Sequence, residues 1–348
     1  MIYLDNAATT VCKFPASTYD DIWGNANTPY KFGLNARQAA DECRERVKKC
    51  LGVKGGKVIF CSNASEAAKI LCDRLQAYGI ATACGPYEHD SVYDLVDMDG
   101  YQFVHYSDGT AIFQQWVNPV TGLVFDIPGI RKGIDNNCFL CMDATAGIGK
   151  QYLTQAIVNS VDAIWFSGHK FHGPKTGGVL WISDRLSEAL YLSEDSRNEY
   201  GLKHGTLDVP SFIATVCALD EAIIQESDNI TYYLKLNIHL LEHFEPEEKT
   251  YRIIDFRLPI DGQICATELL NVNCNADALV QYLSTKGIYV GLAHSACSAY
   301  ADYRVTRGLG ISDKYAEQCI RVSFSEDNTF NDIDALINGI KEFKEKFV

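Results

Sequence analysis

No apolar run in this 348-residue chain is long enough to span a bilayer. Met1-Ile2-Tyr3-Leu4-Asp5 reaches a carboxylate at once, so no basic-then-apolar leader opens it; the expectation is a soluble, cytoplasmic protein. Positive charge is scarce: 31 Lys and Arg face 45 Asp and Glu, a net charge of -14. Such a surface repels phosphate backbones, which argues against nucleic acid as a partner. Proline is sparse, and low-complexity runs are missing, so long disordered stretches are not expected. Cysteine, by contrast, is plentiful. An odd count of 13, without a secretory leader, reads as free thiols in a reducing compartment. Cys138 and Cys141 have CxxC spacing, but the apolar run from Cys138 to Met142 reads better as a buried strand. No second pair follows, and no metal is assigned.

A hydrophobic content of 47% is ample for a large core plus a smaller domain. Val58-Ile59-Phe60-Cys61 reads as a strand followed by a helix through Ala67, Ile70 and Leu71. Further strands are expected at 139–142, 163–166 and 179–182. Strands separated by helical stretches argue for an α/β fold with a mostly parallel, doubly covered sheet. Residues 207–244 look helical, and Glu245-Pro246-Glu247-Glu248-Lys249 breaks the pattern. The large domain is therefore set at 15–248, and a smaller α+β domain at 1–14 plus 249–348. In that tail, 252–256 and 320–324 look like strands and 276–283 like a helix. Ile333, Leu336, Ile337, Ile340, Phe343 and Phe347 fall on one face of a last helix, with Thr329 and Asp332 as its capping box.

Four elements carry chemistry. Ser167-Gly168-His169-Lys170 follows the strand ending at Phe166, and open α/β sheets place reactive groups at strand ends. A desolvated lysine forms imines with aldehydes, although Lys170 alone reads equally well as a surface lysine in a turn. Met142-Asp143-Ala144-Thr145 puts a carboxylate at the end of an apolar strand, where burial is costly unless a cation meets it. The protonated pyridine nitrogen of pyridoxal 5′-phosphate (PLP) is such a cation; a helix or turn cap is the ordinary alternative. Ser62-Asn63-Ala64-Ser65-Glu66 lies between strand and helix, where Ala64 and Ser65 suit a phosphate; taken alone it reads as a plain helix cap. Ser167, His169 and Thr206 are further phosphate candidates. His89, in Glu88-His89-Asp90-Ser91, has a ring that can stack on a cofactor and shuttle protons. Together these residues point to PLP held as a Schiff base on Lys170.

The pattern resembles the class V aminotransferase family, and within it the cysteine desulfurases, nearly end to end. Tyr3-Leu4-Asp5-Asn6-Ala7-Ala8-Thr9-Thr10 is similar to the family's opening, Gly24-Asn25-Ala26-Asn27-Thr28 to its Asn-Pro-Ser-Ser stretch, and Cys61 to Glu66 to its phosphate turn. Glu88-His89, Asp143-Ala144-Thr145 and Ser167 to Lys170 resemble its stacking histidine, pyridine-nitrogen aspartate and cofactor lysine. The resemblance implies a fold-type I PLP enzyme with a sheet of seven-stranded type, normally a homodimer in which Thr206 reaches the neighbouring subunit's cofactor phosphate. His294-Ser295-Ala296-Cys297-Ser298-Ala299 resembles the loop carrying the nucleophilic cysteine. The implied reaction converts L-cysteine to alanine with a persulfide on Cys297, for a sulfur-acceptor protein such as one serving iron–sulfur cluster assembly. Arg321 matches the arginine that takes the substrate carboxylate, whose planar fork suits it. Asn6, from the opening segment, joins it as a substrate-binding residue.

Some positions depart. Ala146 stands where the family has a glutamine near the cofactor's phenolic oxygen. Asn118-Pro119-Val120-Thr121-Gly122 replaces Asn-Asn-Glu-x-Gly, leaving Asn118 to meet that oxygen. Lys203-His204-Gly205-Thr206 replaces Arg-Ser-Gly-Thr, and Asp195-Ser196-Arg197 a glycine-rich stretch. The shorter loop after Cys297 leaves delivery to the usual scaffold partner open. So two alternatives stand beside desulfuration: another class V reaction (transamination, selenocysteine lyase or β-lyase), and a non-catalytic PLP-binding homologue.

Overall fold

A computed structural model of the chain describes residues 1–16, 22–97, 109–193, 199–244, 260–264, 266–294 and 302–347. They gather into two compact units. The larger comprises Val11–Trp116 and Ile127–Gln225; the smaller comprises Met1–Thr10, Val117–Asp126 and Glu226–Val348.

The larger unit is built on one sheet of six strands among the described residues: β1 (Lys57–Cys61), β2 (Thr82–Cys84), β3 (Ala111–Gln115), β4 (Phe139–Asp143), β5 (Ala163–Ser167) and β6 (Gly178–Ile182). Their order is β1-β6-β5-β4-β3-β2. β2 to β5 run parallel, while β6 is antiparallel to both β5 and β1. The α/β, mostly parallel sheet expected from the alternating runs is therefore present, with six described strands where seven are expected. Helix α1 (Lys31–Leu51) precedes β1, and α2 (Ala64–Ala77) follows it. Asn63 caps α2 by accepting a hydrogen bond from Glu66 N–H at 2.9 Å. Ala67, Ala68, Leu71, Cys72 and Leu75 form the buried stripe of α2, which packs with Ile59, Phe113, Trp165 and Leu180. Cys138 and Cys141 are fully buried, and burial pushes the Cys141 thiol well above its ordinary range.

The apparent long helix at 207–244 is two: α3 (Val209–Ile224), capped by Asp208, and α4 (Glu226–Leu241). They part at Gln225, and the two units divide there; the sequence reading sets its break at 248. The smaller unit also takes in 117–126, because Leu123–Phe125 pairs antiparallel with Ile260–Gln263. Its main sheet is antiparallel, β7 (Thr267–Asn271), β9 (Cys319–Ser323) and β8 (Gly291–Leu292) in that order. Helices α5 (Ala276–Thr285) and α6 (Phe330–Phe347) complete it. The capping box of α6 forms: Thr329 N–H donates to Asp332 Oδ2 at 2.9 Å, and Asp332 N–H to Thr329 Oγ1 at 3.3 Å. Its apolar face is buried from Ile333 to Phe343; Phe347 is 65% exposed but still packs edge-on against Tyr282 and beside Phe343. The strand expected at 252–256 lies outside the described residues. Among the described residues no helix is long and apolar enough to cross a membrane.

Candidate active site

The chemistry-bearing residues of the larger unit collect at one end of its sheet. Gln115 lies opposite Asp143 across β3 and β4, and Asp143 opposite Trp165 across β4 and β5. Ser167 lies opposite Gly178, and Gly178 opposite Cys61. Asp143, Ser167 and the turn after Cys61 therefore sit in a row at the carboxyl ends of parallel strands, where open α/β sheets bind ligands. A Cβ on Gly178 would meet the Asn63 backbone at 2.5 Å, so glycine is what lets β6 pass beneath the 62–66 turn.

Lys170 closes a single 3₁₀ turn, Gly168–Lys170, directly after β5. Two residues on, His172 adopts a left-handed φ of 68°. Such backbone in a non-glycine residue costs about 1 kcal/mol or more and needs outside support. His172 Nδ1 and Val11 O lie 2.7 Å apart, and Lys13 and Phe14 N–H donate to His172 O at 2.8 and 3.1 Å. The lysine turn is thereby tied to the segment at 11–14.

Asp143 is buried, and burial raises its pKa. Opposing that, Thr145 N–H donates to Oδ1 at 2.8 Å, and the charges of His89 and Lys170 pull the pKa back down. The same interaction shows that His89, Lys170 and Asp143 share one electrostatic neighbourhood. His89 caps a single helical turn, accepting from Ser91 N–H on Nδ1 at 3.1 Å. The neutral ring therefore carries its proton on Nε2. His169 is held at about 4, first by burial and then by the charges of Lys170, Lys150 and Lys175, so its ring is neutral near pH 7.

An anion-binding geometry stands beside this group. Ser65 lies exposed in the first turn of α2, at the positive end of the helix dipole. Ser167 Oγ is fully buried and has no hydrogen-bond partner among the described residues. Buried hydroxyls in native proteins find partners, so orphaned ones at a strand-end site mark the place of a polar ligand. Glu66, which would repel an anion, is neutralised. It accepts from Ser62 N–H, and Lys203 Nζ pairs with it at 2.8 Å. Partial burial works against ionisation, but the Lys203 and Ser62 bonds outweigh it and hold the Glu66 pKa low. Thr206 is exposed in the stretch leading to α3.

Four further candidates are in the smaller unit or outside the described residues. Arg321 is fully buried on β9; its guanidinium donates to Asp5 Oδ1 at 2.6 Å and Pro119 O at 3.1 Å. Asn6 is also buried, with Nδ2 given to the Tyr3 and Ser323 carbonyls and to Asn328 Oδ1. In this structure it anchors the opening segment to β9. Asn118 Oδ1 closes the 118–121 turn by accepting from Val120 N–H, Thr121 N–H and Thr121 Oγ1. Cys297 lies outside the described residues; His294, at the near edge of its loop, is buried, stacks on Tyr303 and pairs with Asp277 at 3.3 Å.

Sequence reading missed the supports. His172, the Lys203–Glu66 pair and the buried Glu199 carry no local motif. Only the replacement of the family's arginine by Lys203 hinted at a different partner there.

The chain belongs to the aminotransferase class-V family, whose model matches residues 2–92 and 95–336. Among its relatives is the cysteine desulfurase IscS of Buchnera aphidicola subsp. Schizaphis graminum, 26% identical over 377 residues, covering 97% of this chain and 91% of that one. A NifS/IcsS protein homolog of Lactobacillus delbrueckii subsp. bulgaricus is 25% identical over 380 residues, covering 100% and 98%. Of the solved structures, a NifS-like protein superposes with a TM-score of 0.81 at 22% identity, over 99% of both chains. The NifS-like protein of Rickettsia africae gives 0.80 at 19%, again over 99% of both. These establish the fold as fold-type I.

Proposed function

We propose that the chain is a PLP-dependent cysteine desulfurase that converts L-cysteine to L-alanine and leaves the sulfur as a persulfide on Cys297. The observation that supports this most is the grouping of Lys170, buried Asp143 and His89 at the strand ends, beside the orphaned Ser167 hydroxyl, in a chain whose relatives bear desulfurase names. Those residues fit the cofactor: a buried carboxylate lacking a full counter-charge, an imine-forming lysine, and an anion cradle one strand away. Bound there, PLP would supply an electron sink for bonds at the substrate's α-carbon.

The chain's own residues would then divide the work. Lys170 Nζ would hold the cofactor covalently and, once displaced by substrate, move protons at the α-carbon. Asp143 would keep the pyridine nitrogen protonated, the cation it meets offsetting the cost of its burial. His89 would stack on the ring and offer its Nε2 proton. Ala64, Ser65, Ser167 and neutral His169 would bind the phosphate, with Thr206 serving the partner subunit's cofactor in a homodimer. Asn118, whose Oδ1 closes its own turn, would meet the phenolic oxygen by family resemblance. Arg321 and Asn6 take the substrate carboxylate by family resemblance. The Cys297 thiolate would attack the substrate sulfur: a sulfur–sulfur bond forms, the carbon–sulfur bond breaks, and its electron pair returns to carbon, where a proton completes alanine. A cytoplasmic setting and a sulfur-acceptor protein belong to the same proposal.

The test is to incubate the PLP-loaded protein with L-cysteine and quantify alanine and reducible persulfide. Equal amounts in the first turnover are expected, and Cys297→Ala should retain PLP but lose both products. If Cys297→Ala forms both at the wild-type rate, the sulfur-transfer role is wrong. Pyridoxamine accumulating with other amino acids would instead favour transamination.

A further inference from the structure

The smaller unit carries a side-chain cluster that the proposed reaction does not use. His239, on α4, and His243, just past its end, stand four residues apart, and Asp334 comes from α6. One ligand atom from each lies within 4.8 Å of the others. His239 Nε2 is 2.7 Å from Asp334 Oδ1, and the two imidazole centroids are 5.6 Å apart with their planes at 82°. We propose that these three residues form a binding site for a first-row divalent transition ion of the zinc class, clipping the end of α4 to α6.

Three observations carry this. The first is the donor set: two imidazoles and one carboxylate are ordinary zinc ligands, leaving a fourth position for water. The second is spacing. With zinc–nitrogen bonds of about 2 Å and tetrahedral angles, two imidazoles on one ion have centroids roughly 5 Å apart. The observed 5.6 Å is close to that value, and the crossed planes keep the rings from clashing. Asp334 Oδ1 and His239 Nε2 would separate from hydrogen-bond contact to roughly 3.3 Å to share an ion, a shift of about half an ångström. The third is orientation. Phe330 packs edge-on against the His239 ring at 5.3 Å. Glu242 Oε2 lies 4.0 Å from His239 Nδ1, beyond hydrogen-bond contact, and adds negative charge on the side of the ring away from Asp334. Main-chain bonds from His243 N–H to Leu240 O and from Phe244 N–H to Leu241 O tighten the last turn, which carries His243 back toward His239. A net charge of -14 further favours cations over the surface.

The ordinary alternative is a His239–Asp334 ion pair with His243 a bystander. The two differ in what His243 does. Cobalt(II) should be titrated into the chelator-treated full-length protein, because its visible bands report geometry and its near-ultraviolet thiolate bands report cysteine ligation. One equivalent should bind with a tetrahedral or five-coordinate nitrogen–oxygen spectrum lacking thiolate bands, and zinc should displace it. His243→Ala, at an exposed position, should weaken that binding at least tenfold and leave the melting temperature of the metal-free protein unchanged. Zinc should raise the melting temperature of the wild type and not of His243→Ala. Binding of equal strength in wild type and His243→Ala, or a spectrum dominated by thiolate bands, would overturn the site.

Discussion

Glu199→Ala should destabilise the larger unit more than any visible motif suggests. Glu199 is 4% exposed and stands in a left-handed backbone, φ 46°, next to Tyr200 at 57°. Among the described residues β1 is an edge strand and Phe60 N–H has no strand partner on its outer side; Glu199 Oε2 accepts it at 2.7 Å. The other oxygen pairs with Arg44. Alanine would orphan a buried N–H, at about 1–3 kcal/mol. Removing one partner of a buried ion pair costs about 3–5 kcal/mol, but Arg44 keeps Asp41 at 2.7 Å and Val58 O at 3.2 Å, which places its share well below that range. Burial also raises the pKa of Glu199 despite Arg44, so the carboxylate itself is an expense that alanine removes. The net loss is about 3 kcal/mol, or roughly 6–12 °C in the melting temperature of a unit this size. Glu199→Gln should lose less, about 1–2 kcal/mol, because an amide oxygen still serves Phe60. Lys203 is four residues further on, so Glu199→Ala should also weaken the Lys203–Glu66 tie and PLP affinity with it. Circular-dichroism melts of the three proteins decide the matter: an alanine variant melting within about 2 °C of wild type refutes the argument.

Other predictions concern the site itself. Lys170→Ala should carry no visible PLP absorbance through gel filtration, and retained wild-type absorbance would remove Lys170 from its role. Asp143→Asn should stabilise the cofactor-free protein by about 1 kcal/mol, since the buried charge is gone, while slowing alanine formation at least a hundredfold; unfolding in urea and an L-cysteine assay read the two effects. The folded pKa of His169 is depressed to about 4, below its unfolded value, so the unfolded chain takes up protons first as pH falls. The stability tied to a neutral His169 is whole above pH 6.5 and lost on going down to about pH 4, amounting to about 2 kcal/mol after solvent screening; His169→Gln should flatten that part of the stability–pH curve. A Cβ at Gly147 would meet Trp116 Cε3 at 2.4 Å, so Gly147→Ala should cost about 2 kcal/mol, and a neutral melt would show that the ring has room to move.

Features that depend on near neighbours along the chain are legible in the sequence. A fully apolar strand running into Ser167-Gly168-His169-Lys170 places the lysine at a strand end, and the run ending in Asp143 does the same for the carboxylate. The capping box and apolar stripe of α6 are equally local, because one turn of helix brings their residues together. The remaining contacts join residues far apart in the chain. Lys203 reaches Glu66 across 137 residues of chain, and Glu199 covers Phe60 across 139. No periodicity encodes which distant carboxylate will meet an edge strand, or that His172 will turn left-handed and bond to the segment at 11–14. Nor does composition show that 117–126 leaves the larger unit to pair with Ile260–Gln263. Such pairings are fixed when the sheet closes and buried polar groups must find partners, a condition set by the whole fold.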